Sequence, residues 1–219
     1  MNNKVFIECI EDKFSWLLEA GFAFRSIDTS IYFEKNKEGV DDCINFFWAE
    51  YNEIKIQGLF ALKRFNLVEK LIEQSTGNLD YTIRKPLSID NINSSLKKPN
   101  GEIYISDVDD VKKFSELVQK LFYTSALPFY EEFSSLKNVG NWINENKISD
   151  HSKILVVSNN SMMLRKLIIL KEINSKDFPN LYQRYKQYLI EKNASKERVY
   201  QEMYTYFSNL IEYFESRLT

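Results

Sequence analysis

A single histidine, His151, and two cysteines, Cys9 and Cys43, are all the imidazole and thiol that this 219-residue chain offers. One imidazole cannot build an HExxH zinc site, a two-histidine metal centre or a Cys/His zinc cluster. A Ser-His-Asp arrangement would have to use Ser149-Asp150-His151-Ser152, and no GxSxG elbow supplies the nucleophile. Beside Asp and Ser, in a polar stretch, His151 is expected in a solvated loop. Cys9 falls in a helical pattern and Cys43 opens a strand pattern, so both read as inert packing thiols. With only 6 Gly and neither GxxxxGK[ST] nor GxGxxG, the familiar nucleotide-binding folds are disfavoured. These residues assign no catalytic, cofactor-binding or metal-binding position and call for no cofactor.

The carboxylates give one pattern to weigh. Asp41-Asp42 precede a strand pattern, and Glu53-Ile54-Lys55 open its hairpin partner. Period-two geometry puts Glu53 and Lys55 on one sheet face and Ile54 and Ile56 on the other. An acid followed by acid-x-Lys on the neighbouring strand resembles the core of the metal-dependent restriction-type nucleases. That resemblance implies Asp42 and Glu53 as Mg²⁺ ligands and Lys55 as the group that positions the attacking water. The proline that usually precedes the first acid is absent, and a wet sheet face with a cross-strand ion pair accounts for the same residues. Arg25, Arg84 and Arg165 lie nearest to apolar runs. Each is a candidate buried anchor or anion contact, and the sequence does not rank them.

The elements that must position these groups follow from periodicity. Phe6, Ile10, Phe14, Leu17 and Leu18 place one helix over 4–20, ended by Gly21. Alternation then predicts two hairpins, one turning at Asp28-Thr29-Ser30, the other pairing 43–50 with 53–62 around Tyr51-Asn52. Gly58 marks a candidate bulge. A short helix over 67–74 ends at Gly77, a strand over 81–85 stops at Pro86, and residues 94–101 read as a loop. After a strand at 102–105, Ser106 and Asp107 cap a helix that runs to Phe122. Pro128 opens a new short helix, followed by a helix over 136–144, a short buried strand over 154–157, a central apolar helix over 162–173 and an amphipathic one over 177–192. The last helix, 195–218, carries a broad apolar face through Tyr200, Tyr204, Phe207, Ile211, Phe214 and Leu218 and pairs with the preceding one as an antiparallel hairpin.

The fold class is therefore α+β. An antiparallel meander of about four strands is packed by an N-terminal helix and followed by a mostly helical C-terminal half. The halves are expected over 1–100 and 101–219, or as one domain. Net charge is −2 and the pI about 5.7, against the basic excess of a general nucleic-acid binder. The absence of a disulfide framework or signal-like terminus, and of any long apolar run, points to a cytoplasmic chain with no membrane association.

The order of elements, with the phrases SDVDDVKKFSELVQKLF, ALPFYEEFSSLKNVGNWI and MLRKLIILKEINSKDFPNLYQRYKQYL, resembles a group of uncharacterised bacterial α+β proteins, some of them like immunity proteins encoded beside secreted toxins. The resemblance implies a cytoplasmic bacterial protein that acts by binding a protein partner, and it carries no catalytic motif. The leading expectation is thus a non-enzymatic, immunity-like protein-binding protein. The rivals are a metal-dependent nuclease using Asp42, Glu53 and Lys55, and a small-ligand binder with an aromatic-lined pocket. Self-association is left open.

Overall fold

The computed structural model describes residues 1–88, 96, 98, 102–156 and 160–216. In chain order the elements are α1 (Asn3–Lys13), α2 (Ser15–Glu19), β1 (Ala23–Ile27), β2 (Ser30–Lys37), β3 (Val40–Glu50), β4 (Ile54–Phe65), α3 (Asn66–Thr76), β5 (Ile83–Pro86) and β6 (Ile103–Ile105). Then come α4 (Val108–Leu121), a π-helical stretch (Phe122–Ala126), α5 (Leu127–Glu132), α6 (Leu136–Glu145), α7 (Ile148–Ile154), α8 (Met162–Glu172), α9 (Phe178–Asn193), α10 (Arg198–Ser208) and α11 (Ile211–Glu215). This is the α+β class that the sequence leads one to expect. The chain divides into two compact units, Met1–Lys63 with Lys85–Glu132 and Arg64–Arg84 with Phe133–Thr219. Among the described residues no helix is long and apolar enough to cross a membrane.

The first unit is built on the meander. The strands run in the order β1-β2-β3-β4-β5, and β6 pairs with β4 through Ile54↔Ile105 and Ile56↔Ile103. Asp28 (φ 50°) and Gly39 (φ 74°) take the left-handed conformations that the two tight turns require. Register places Phe33 opposite Ile44 and Ile31 opposite Phe46, so these apolar side chains share one face. Helices α1 and α4 cover it. The Phe14 ring lies 5.3 Å from Phe33, 5.8 Å from Phe46 and 5.8 Å from Phe114, and Phe6 meets Trp48 edge-on at 5.3 Å. Each such burial is worth about 1.5–3 kcal/mol, so this cluster dominates the unit.

Three departures from simple periodicity have physical causes. The first helix breaks at Phe14 (φ −98°, ψ 18°), which sends its ring to the centre of the cluster and re-aims Leu17. In β4 the buried positions shift from Ile54 and Ile56 to Leu59, Ala61 and Lys63. The change of parity falls at Gln57-Gly58, where the sequence marks a candidate bulge. At Pro128 the helix does not restart. The missing N–H and the ring's crowding of the carbonyl four residues back are absorbed by the wider turns of Phe122–Ala126, so α4 runs on into α5.

The second unit is organised around α8, in which every residue from Leu164 to Lys171 is buried. Helices α9 and α10 pair through aromatic contacts, with Tyr182 and Tyr185 at 5.7 and 5.6 Å from Phe207. The expected single terminal helix is two, broken at Asn209-Leu210. There Asn209 donates to the Ser75 carbonyl (3.0 Å) and Ser75 Oγ to that of Tyr206 (2.6 Å), hydrogen bonds that hold the break against the end of α3. Phe207, Leu210 and Phe214 are buried, whereas Val199 is largely exposed. Leu218 lies outside the described residues, as do most of the loop expected at 94–101 and Val157 of the expected strand. What is described of that strand is an isolated antiparallel bridge, Leu155 to Ile83.

Candidate functional site

The three residues of the nuclease-like pattern do not meet. Asp42 is buried on β3, its Oδ1 2.6 Å from the equally buried Lys63 Nζ and its Oδ2 paired with Lys37. Glu53 stands at the other end of the β3–β4 hairpin, accepting from Ser106 Oγ and lying 3.6 Å from Lys98. Lys55 is paired with Glu102, which also accepts from the Tyr104 hydroxyl at 2.7 Å. Lys63 follows Lys55 by eight residues of strand, so Asp42 and the Glu53/Lys55 pair are about 25 Å apart at the usual rise. Each carboxylate already has a cation. Among the described residues no three of His, Cys, Asp and Glu gather as a metal site, so the Mg²⁺ of the nuclease pattern has no seat that these residues fit.

The arginines sort themselves. Arg25 pairs with Glu34 at the surface and stacks over Tyr32. Arg165 is the buried anchor. Its Nε and Nη2 hold both oxygens of Glu69 on α3 at 2.8 Å, and its Nη1 donates to the Val156 carbonyl (2.9 Å) and to Ser161 Oγ. Both charged residues are fully buried, and the bidentate fork satisfies the carboxylate in the low-dielectric interior.

One residue further along α8 lies a different kind of buried cation. Lys166 is 6% exposed and His151 is 1% exposed. The expectation of a solvated loop is corrected here: His151 is in α7, packed on Trp142 with ring centroids 5.4 Å apart. Its polar sequence neighbours mask the helix. His151 Nε2 is 3.0 Å from the Ile143 carbonyl, which can only accept, so the proton sits on Nε2. Nδ1 is then the acceptor for Lys166 Nζ, 3.3 Å away. Burial, then the neighbouring ammonium, pushes the His151 pKa down, which keeps the imidazole neutral. Burial likewise lowers that of Lys166, partly offset by the carboxylate of Asp177.

These two side chains lie in the wall of a cavity of about 230 Å³ that Asn144, Asn146, Asp177, Asn180 and Arg184 help to enclose. The first turn of α9 contributes Asn180 and Leu181, bringing the positive end of that helix to it. A second cavity, about 560 Å³, belongs to the first unit. It is mainly apolar through Ile56, Leu59, Phe60, Leu87 and Phe114, with Lys55 and Glu102 also in its wall. Of the candidate residues read from the sequence, Lys55 lies in the wall of the larger cavity and His151 in that of the smaller, but no linear pattern locates the cavities themselves, because each draws on residues from separate stretches of the chain. Comparison of the chain with protein-family models, with curated proteins and with solved structures finds no match.

Proposed function

We propose that the protein is a non-enzymatic protein-binding protein, acting through an exposed apolar patch at one end of the sheet in its first unit. One observation supports this reading. Ile27, Ser30 and Phe47 stand side by side across β1, β2 and β3, and Ile27 and Phe47 are 43% and 36% exposed. The Phe47 ring meets Phe60 of β4 edge-on at 5.8 Å, and Tyr51, just beyond β3, is 63% exposed. A side chain at Gly58 would come within 2.7 Å of the Phe60 ring, so glycine there lets Phe60 lie down toward Phe47. Single exposed apolar residues are ordinary, whereas a contiguous row with aromatics is the composition of an interface centre.

The acidic balance suits a basic partner, whose association it would speed. An immunity-like role, in which that partner is a toxin, is the specific form of the proposal. The test is a pull-down from lysate of the source organism with the tagged chain and its Phe47→Ser variant. A stoichiometric partner held by the first and lost by the second is the expected result. Equal capture by both would show that the partner does not dock on this patch, and no partner for either would show that the protein does not act by binding one.

A further inference from the structure

Independently of the sheet face, we infer that the Lys166 cavity of the second unit is a binding site for a small organic carboxylate. The hydrogen-bond inventory of Lys166 is incomplete. An ammonium group has three N–H donors, and Lys166 directs one at His151 Nδ1. Among the described residues Lys166 makes no other hydrogen bond and no ion pair. A cation that is 6% exposed, with the Asp177 carboxylate acting on it only through space and no oxygen hydrogen-bonded to it, has donors left for a bound group to fill. Its neighbour Arg165 shows what a satisfied cation in this helix looks like, with four donated hydrogen bonds.

The rest of the wall sets the chemistry of the missing group. Arg184 brings a second, exposed cation, with no ion pair among the described residues. Its planar fork matches the two oxygens of a carboxylate, and Lys166 adds a point charge at the buried end. Asp177 is the one acid in the lining, against the cations Lys166 and Arg184, so with His151 neutral the wall carries a net charge of +1. That favours a monoanion and disfavours a doubly charged phosphate, which Asp177 would repel. The amides of Asn144 and Asn180 can bond to a hydroxyl or amide elsewhere on the ligand. About 230 Å³ lies below the usual range of drug-sized sites, so the ligand is small.

His151 is both a wall residue and the reporter. As the only histidine, it gives imidazole signals in a nuclear magnetic resonance spectrum that need no further assignment. The full chain would be titrated at neutral pH with sodium lactate, with sodium chloride at matched ionic strength as control and inorganic phosphate as the competing anion. The expected result is a saturable shift of the His151 signals with lactate alone, weakened about tenfold or more in Arg184→Gln. Arg184 is exposed, so that variant should keep its fold, to be verified by circular dichroism. Lys166→Met, if folded, should show no saturable shift at all. The inference is overturned if lactate behaves like chloride, if Arg184→Gln binds as the parent does, or if phosphate binds more tightly than lactate.

Discussion

Arg165 and Lys166 are consecutive on α8 and both buried, yet they are in opposite electrostatic conditions. Arg165 reaches α3 and is fully matched by Glu69, Ser161 and the Val156 carbonyl. Lys166 reaches α7 and finds one neutral imidazole nitrogen. The first pair is a closed structural joint in which burial and pairing have been optimised together. The second is an open valence, facing a cavity with a second cation in its wall. Burial of a charged side chain is therefore uninformative alone. What separates a joint from a site is whether its donors are used.

Several substitutions would sharpen or break this contrast. The largest effect belongs to the closed joint: Glu69→Leu leaves the Arg165 guanidinium buried without its anion and should cost about 3–5 kcal/mol, read from urea unfolding. Comparable stability in this variant and the parent would show that the joint is dispensable. Lys166→Met removes an under-matched buried cation and keeps its volume, so it should change stability by less than about 1.5 kcal/mol, or raise it.

A third effect is pH-dependent. The pKa of His151 is lowered in the folded protein from its ordinary 6.5, so below that value the unfolded chain takes up a proton that the folded one refuses. Its contribution to stability is complete above pH 6.5 and declines as pH falls from there toward the folded value. Comparing urea midpoints of the parent and His151→Gln from pH 7.5 to 5 isolates it: the parent should lose more stability than the variant over that interval. Parallel curves would mean that the imidazole is not held neutral. The smallest effect is that of Phe47→Ser, within about 0.5 kcal/mol because the ring is already partly in water, even though capture of a partner is expected to vanish.

How much of this was legible beforehand depends on how local the cause is. The meander, its turn at Asp28, the Asp107 cap and the αL glycine after α3 follow from period-two alternation and from residues acting within a few positions, whereas the Gly39 turn between β2 and β3 was not singled out. The break at Phe14 and the passage through Pro128 did not, because there a ring's place in a tertiary cluster, or a widened helical turn, overrides the local signal. The pairing of Asp42 with Lys63 escaped because β4 shifts its inward parity near Gly58, beyond which simple alternation from Glu53 fails. The site at Lys166 was least visible. A lysine inside an apolar helix reads as the wet edge of its face, and only the positions of α7 and α9 turn it inward. Arg165 was among three arginines picked out, but its partner lies 96 residues away, and no linear pattern reaches that far.

The segment Arg64–Arg84 has a consequence for how the molecule is made. It carries α3, and with it Glu69, yet it belongs with residues that begin at Phe133. A ribosome releases Glu69 well before Arg165, so for the time needed to extend the chain by 96 residues the carboxylate has no guanidinium to receive it. At about 5–20 residues per second that interval is roughly 5–20 s. The meander and α4 can form within it, while the apolar side of α3 waits. That is the window in which a nascent chain of this design is most exposed to chaperones and to wrong partners.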